Sequence, residues 1–222
     1  MNKAHLTEKN ISSKTDKWLS ELDIPKSRID QFKIKPKKSV LLVIDMQKFF
    51  LNKKSHAYLP AGKIIIPRIN SIIKEYRKQK LPIIFTYHAY NKDENPGIMN
   101  RWWGDVIRVN NPLSKIDSTI DWKKTDITIQ KKRYSAFIGT KLDQILKNKK
   151  IKQLIIVGVM THLCCETTAR HAFMKDYEVY FAIDATATDE EALHISSLKT
   201  LADGFAMPVT TKNILEALKT GT

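Results

Sequence analysis

Val40-Leu41-Leu42-Val43-Ile44-Asp45 is a short unbroken apolar run that ends on a carboxylate. A run of this length suits a strand buried on both faces, the kind found in parallel sheets. Runs of the same character recur along the chain. They are Pro82-Ile83-Ile84-Phe85-Thr86, Ile127 to Lys131, Leu154 to Val157 ahead of Gly158, Val179 to Ile183, and Ala206 to Val209. Helical patterns lie between them. Ile65, Ile69, Ile72, Ile73 and Tyr76 recur at three- and four-residue steps, with Pro67 acceptable only in a first turn. Leu142, Ile145 and Leu146 mark a helix ending in Lys147, Lys149 and Lys150, charges that suit the negative end of its dipole. Further helices are expected from about Cys164 to Lys175, from a capping-box signature at Thr188 and Glu191 to about Ala202, and from about Lys212 to Leu218. Strands alternating with helices argue for one three-layer α/β/α domain, Rossmann-like, with a six-stranded, mostly parallel sheet over residues 39–222.

Residues 1–38 read differently. They are polar and Lys-rich, with Trp18, Leu19, Leu22 and Ile24 placed for one short amphipathic helix. This predicts an N-terminal arm packed on the domain or on a neighbour. Residues 89–124 have no strong period and hold Trp102, Trp103 and Trp122, which predicts a long connection with one short helix.

Composition bounds the function. The 222 residues are 42% hydrophobic and 27% charged, within the globular range and enough for a core without staples. The two cysteines are adjacent, Cys164 and Cys165, which excludes a disulfide framework or a multi-cysteine metal site and predicts free thiols in a reducing compartment. The 38 basic and 23 acidic residues give a net charge of +15. Most of the basic residues are lysines spread along the chain, without an aromatic-interleaved arginine patch, so a solvated surface is expected rather than a nucleic-acid partner. No apolar run reaches the roughly 18 residues that would span a bilayer. The start Met1-Asn2-Lys3-Ala4-His5 has no apolar signal region. A cytoplasmic protein with no membrane partner is the expectation.

Open parallel sheets bind ligands beyond the carboxyl ends of their strands, near a topological switch point. Three reactive side chains fall at such ends: Asp45 after the first strand, Lys131 closing the third, and Cys164 after the fourth at a helix start. A helix N-terminus and a nearby ammonium both favour a thiolate, and a carboxylate can take and return its proton. The alternative treats each alone, with Asp45 a loop cap, Lys131 a surface lysine and Cys164 a small buried hydrophobe.

Val43-Ile44-Asp45-Met46-Gln47, Lys131-Lys132-Arg133-Tyr134-Ser135-Ala136-Phe137 with Gly139-Thr140, and Gly158-Val159-Met160-Thr161-His162-Leu163-Cys164-Cys165 with Thr168-Ala169 resemble the isochorismatase-like cysteine hydrolases. That superfamily includes nicotinamidase and N-carbamoylsarcosine amidohydrolase. The resemblance runs from about Lys38 to the C-terminus. It implies an isochorismatase-like fold, a homodimer or homotetramer, and Asp45, Lys131 and Cys164 as catalytic residues. It also implies a non-proline cis peptide between Val159 and Met160, with the Met160 and Cys164 backbone N–H groups as an oxyanion hole. The chemistry expected is hydrolysis of a C–N bond in a small amide, carbamoyl or ureido compound through a Cys164 thioester.

Departures from the pattern narrow this. Relatives that cleave isochorismate lack the cysteine, because a vinyl ether needs only an acid; acid catalysis by Asp45 is therefore the rival, and a basic binding module without turnover is a third reading. His88 stands where isochorismatases carry a substrate-contacting Gln, and it either bonds the substrate or caps the strand end. Nicotinamidases would show Asp-x-His for a metal ion where this chain reads His88-Ala89-Tyr90, and His56 and His162 are not spaced as ligands. The resemblance thus implies no metal and no cofactor, and sets nicotinamidase aside. Phe50 and Trp103 are candidate substrate contacts, with core or subunit-interface packing as their alternatives; Trp102 shares those alternatives. Cys165 is expected in the core. Asp184 is expected to end the fifth strand and bind loop N–H groups. Arg133 would meet an anionic substrate or serve structurally.

Overall fold

A computed structural model describes residues 5–221; the first four residues of the expected arm, and Thr222, lie outside the described residues. The arm region carries α1 (Ile11–Ser20) and α2 (Lys26–Gln31). The elements then run β1 (Ser39–Ile44), α3 (Lys48–Leu51), α4 (Pro60–Ile64), α5 (Ile66–Lys78), β2 (Ile83–His88), α6 (Ile98–Trp103), β3 (Ile127–Lys131), α7 (Leu142–Asn148) and β4 (Gln153–Val159). After β4 come one wide π-type turn (Thr161–Cys165), α8 (Glu166–Phe173), β5 (Glu178–Ala187), α9 (Glu191–Gly204), β6 (Met207–Val209) and α10 (Thr211–Thr220).

The six strands form one sheet in the order β3-β2-β1-β4-β5-β6, and every pairing is parallel. Helices cover both faces, with α5 packed on α10 and α8 on α9. β1 and β4 are buried at every position, which is why they read as unbroken apolar runs. Chain direction across the sheet reverses beside β1, so the crevice between the ends of β1 and β4 is the switch point. Among the described residues no helix is long and apolar enough to cross a membrane.

Several local expectations are corrected. The helix expected over Ile65 to Tyr76 is α5, with Ile65 at its N-cap, but a separate short helix, α4, precedes it unannounced; Pro67 falls in the first turn of α5 where its missing N–H costs nothing. Leu22 and Ile24 lie beyond α1, since Glu21 already caps it. β5 continues four residues past Ile183, so Asp184 lies within the strand rather than at its end. Its carboxylate accepts from the Thr211 N–H at 2.7 Å and hydroxyl at 3.0 Å, and pairs with Arg68. The extension also uses up the expected capping box: α9 has Glu190 at its N-cap with no side-chain cap, while the Thr188 hydroxyl meets His162 Nδ1 at 2.7 Å. A capping box does form at Thr210 and Asn213, opening α10.

Gly158 is placed by necessity. Its φ is +117°, and a Cβ there would lie 2.0 Å from the Ile44 carbonyl oxygen of the neighbouring strand. The end of β4 therefore passes close against the end of β1, immediately before Asp45.

Candidate active site

Asp45 leaves β1 with φ +51°, a left-handed conformation that aspartate tolerates better than most residues. Its carboxylate is wholly buried. The Thr86 hydroxyl of β2 donates to Oδ1 at 2.7 Å, and Oδ2 lies 2.7 Å from Lys131 Nζ. Lys131 is also wholly buried. From the edge strand β3 its side chain reaches below the end of β2, and its ammonium donates to the Arg133 carbonyl at 3.1 Å and to Cys164 Sγ at 3.1 Å. The three candidates from three strand ends thus meet, with the ammonium between carboxylate and sulfur.

Burial dominates the ionisation of this group. It pushes the Cys164 thiol up to about 12, against the pull of Lys131 and with Asp45 adding to the rise. Cys164 lies in the wide turn before α8, dry and next to a carboxylate, and both oppose the thiolate that the Lys131 ammonium favours. Burial alone would lower Lys131, but the Asp45 charge and hydrogen bond raise it above the ordinary lysine value, so it stays an ammonium. Cys165 is fully buried in the core, and burial raises its thiol well above the ordinary value.

A cavity of about 370 Å³ opens over Cys164. Phe49, Phe50, Tyr58, Trp103 and Tyr134 supply aromatic walls, Met99, Val106, Ile107 and Leu163 aliphatic ones, and His88, His162, Met160 and Asp189 complete it. Phe50 and Trp103, two expected contacts, both line the cavity; Phe50 also packs against the core, while Trp103 is exposed and donates from its indole N–H to the Tyr134 hydroxyl at 2.7 Å, tying α6 to the loop after β3. Trp102 faces away and is 72% exposed, so core packing is excluded for it. His56 and Asp105 face each other at 3.7 Å on the cavity's rim. Among the described residues no lysine or arginine side chain lines the cavity. Arg133 instead donates to the Tyr90 hydroxyl at 2.9 Å and to the Lys132 carbonyl.

His88 is the third expected contact. Its backbone N–H is taken by Gln47 Oε1 at 2.7 Å, while its imidazole lines the cavity with Nδ1 buried and without a partner. The ring caps nothing. Burial, helped by the Lys131 charge, lowers His88 to about 4, so it is neutral at pH 7. Met160 and Cys164 both border the cavity, and the Val159–Met160 peptide is cis.

Residues without an assigned role in the sequence reading complete the site. Gln47 is wholly buried and binds the His88 and Ser114 carbonyls at 3.1 and 2.8 Å, fastening β2 and the 89–124 connection to the end of β1. A buried amide that satisfies backbone groups on separate segments leaves no periodic trace. Phe49 sits in the four-residue α3, too short to show a period, and Tyr58 and Tyr134 sit in loops, so none gives a periodic signal. Among the described residues no group of three or more His, Cys, Asp or Glu side chains is arranged to hold a metal ion.

The isochorismatase domain family matches residues 39–213. Nicotinamidase 3 of Arabidopsis thaliana is 38% identical over 198 residues, covering 88% of this chain and 91% of that one. Enterobactin synthase component B of Escherichia coli K12 is 32% identical over 197 residues, covering 88% of this chain and 68% of that one. A cysteine hydrolase from Pseudomonas syringae pv. phaseolicola 1448A superposes with a TM-score of 0.82 at 24% identity, over 86% of this chain and 97% of its own.

Proposed function

The chain belongs to the isochorismatase family of hydrolases, and from that premise we propose that it is a metal-independent cysteine amidohydrolase acting on a small uncharged amide. The observation that carries this reading is the buried Lys131 ammonium, 2.7 Å from Asp45 and 3.1 Å from the Sγ of Cys164, which lines an aromatic cavity. Asp45 takes the thiol proton as sulfur attacks the carbonyl carbon, and Lys131 stabilises the negative charge passing through sulfur. Because burial holds the resting thiol protonated, proton transfer and attack belong to one event. The carbonyl oxygen, now an oxyanion, is received by the Met160 and Cys164 N–H groups. The C–N bond breaks and Asp45 returns the proton to the departing ammonia or amine. Water then gives a proton to Asp45 and attacks the thioester, the C–S bond breaks, and the thiolate recovers its proton from Asp45. The sum is amide plus water giving acid plus ammonia or amine.

The cavity supports an uncharged substrate. Isochorismate is a dicarboxylate, and no cationic side chain stands among the lining residues to meet it. Neutral His88 is placed to hydrogen-bond a substrate heteroatom, and Phe50 and Trp103 to flank a planar group. The missing Asp-x-His argues against a metal and not against the amide, so nicotinamide, suggested by the name of the Arabidopsis relative, is the first compound to try. Ile98 and Trp102 are exposed on α6 and suit contact with a second copy in a homodimer or homotetramer. The test is ammonia release from nicotinamide and a panel of small amides, carbamoyl and ureido compounds, with Cys164→Ala and Asp45→Asn as controls. Turnover lost in both variants supports the scheme. Turnover that survives Cys164→Ala refutes it and favours acid catalysis by Asp45.

A further inference from the structure

The residues ahead of the family's 39–213 stretch reach the nucleophile turn through a continuous set of buried contacts. Trp18 of α1 is 1% exposed, and its ring lies 4.4 Å, centroid to centroid, from that of His194 on α9. The indole N–H donates to Glu191 at 3.0 Å, and Lys14 pairs with the same carboxylate. His194 is itself buried, with Nε2 3.2 Å from the Ile183 carbonyl. A carbonyl can only accept, so Nε2 carries the proton and Nδ1 is the acceptor. Nδ1 lies 2.9 Å from the Thr161 hydroxyl, which therefore donates to it. Thr161 directly follows Met160 and opens the wide turn that holds Cys164. A second contact runs alongside: His5 Nδ1 meets the carbonyl of Asp189, a residue of the cavity wall.

We propose that the N-terminal arm is part of the active-site framework, with Trp18 and Thr161, joined through His194, acting as positioning residues for the nucleophile turn. His194 has its neutral form fixed at both nitrogens and one ring face covered by Trp18. It cannot tilt without breaking a buried hydrogen bond, and Thr161 cannot rotate without losing its only acceptor in this set. The arm thus sets where the Met160 N–H and Cys164 Sγ point, without touching substrate. The proposal rests on the reading of Cys164 as nucleophile.

Two probes test it: nicotinamide for turnover, and iodoacetamide for the Cys164 thiol, followed by peptide mass spectrometry across a pH series. Thr161→Val removes the hydroxyl at nearly constant volume, and Trp18→Leu uncovers His194. Each is expected to lower kcat tenfold or more with KM within about twofold, since alignment rather than affinity is lost. Each is also expected to shift the pH midpoint of Cys164 alkylation toward the ordinary thiol range, as the loosened turn admits water. Thr161→Ser and Trp18→Phe, which keep the hydroxyl and the ring, should stay near wild type in both readouts. Wild-type kcat and a wild-type alkylation profile in Thr161→Val and Trp18→Leu overturn the proposal, even if thermal stability falls. If Trp18→Leu does not fold, Thr161→Val decides alone; if nicotinamide is not hydrolysed, the alkylation profile decides. Cys164→Ala separates the two readings. Turnover in that variant sinks the nucleophile assignment, whereas an inactive Cys164→Ala beside normal Thr161→Val and Trp18→Leu sinks only the role of the arm.

Discussion

Gly158→Ala should be among the most damaging single-methyl additions this fold can receive. The added Cβ would stand 2.0 Å from the Ile44 carbonyl oxygen and 2.8 Å from the Ile44 carbonyl carbon and nitrogen. Relieving that overlap requires β1 and β4 to separate by about 1 Å where both strands are fully buried. Overpacking of this kind costs about 1–3 kcal/mol. The φ of +117° costs a residue with a side chain a further ~1–3 kcal/mol. A combined loss of about 2–6 kcal/mol corresponds, in a domain of this size, to a fall in Tm of roughly 5–20 °C. Function should fall further than stability, because the atom displaced is the carbonyl one residue before Asp45. Thermal unfolding followed by circular dichroism, with ammonia release measured well below the variant's Tm, reads both effects. A Gly158→Ala protein that melts within about 3 °C of wild type, or that turns over normally when folded, would refute the reasoning.

Thr86→Val removes the hydroxyl that donates to Asp45 Oδ1 at 2.7 Å. A hydrogen bond to a charged group contributes about 1.5–3 kcal/mol, so kcat should fall tenfold or more with KM little changed; steady-state kinetics showing an unaltered kcat would remove Thr86 from the account. His88 is held at about 4 against an ordinary 6.5, so the unfolded chain takes up a proton before the folded one as pH falls. Its contribution, of order 3 kcal/mol, is present above pH 6.5 and lost on the way down through pH 4. Urea unfolding of wild type and His88→Gln at several pH values should therefore show a shallower acid loss in the variant, and parallel curves would contradict the burial argument.

The sheet was legible because β1, β2 and β4 carry their burial in their own residues. Leu154 to Val157 needs no partner to be recognised as a doubly buried strand. The far end of β5 was not legible, because Asp184, and Thr188 just beyond the strand, are polar and sit in the interior through partners elsewhere in the chain: Arg68 and Thr211 for Asp184, His162 for Thr188. The positions of Asp45, Lys131 and Cys164 at strand ends could be read directly, and the structure brings them into contact. Their ionisation could not, since the rise in the Cys164 thiol comes from surroundings supplied by several separate segments. The cavity wall divides the same way. His88 and Trp103 close recognisable elements, whereas Phe49 and Phe50 share the four-residue α3, too short to show a period, and Tyr58 and Tyr134 belong to loops.

A cavity with no lysine or arginine along its walls also governs how a turnover would end. Hydrolysis of an uncharged amide leaves a carboxylate where the amide was. Among the described residues Lys131, which touches Cys164 without lining the cavity, is already engaged by Asp45, and Asp105 and Asp189 stand on the lining. The new anion finds no partner inside, while the chain as a whole carries +15. The net charge attracts the anion to the surface at large, but the carboxylates of Asp105 and Asp189 repel it from the cavity itself, and the acid should be a feeble inhibitor of the enzyme that makes it.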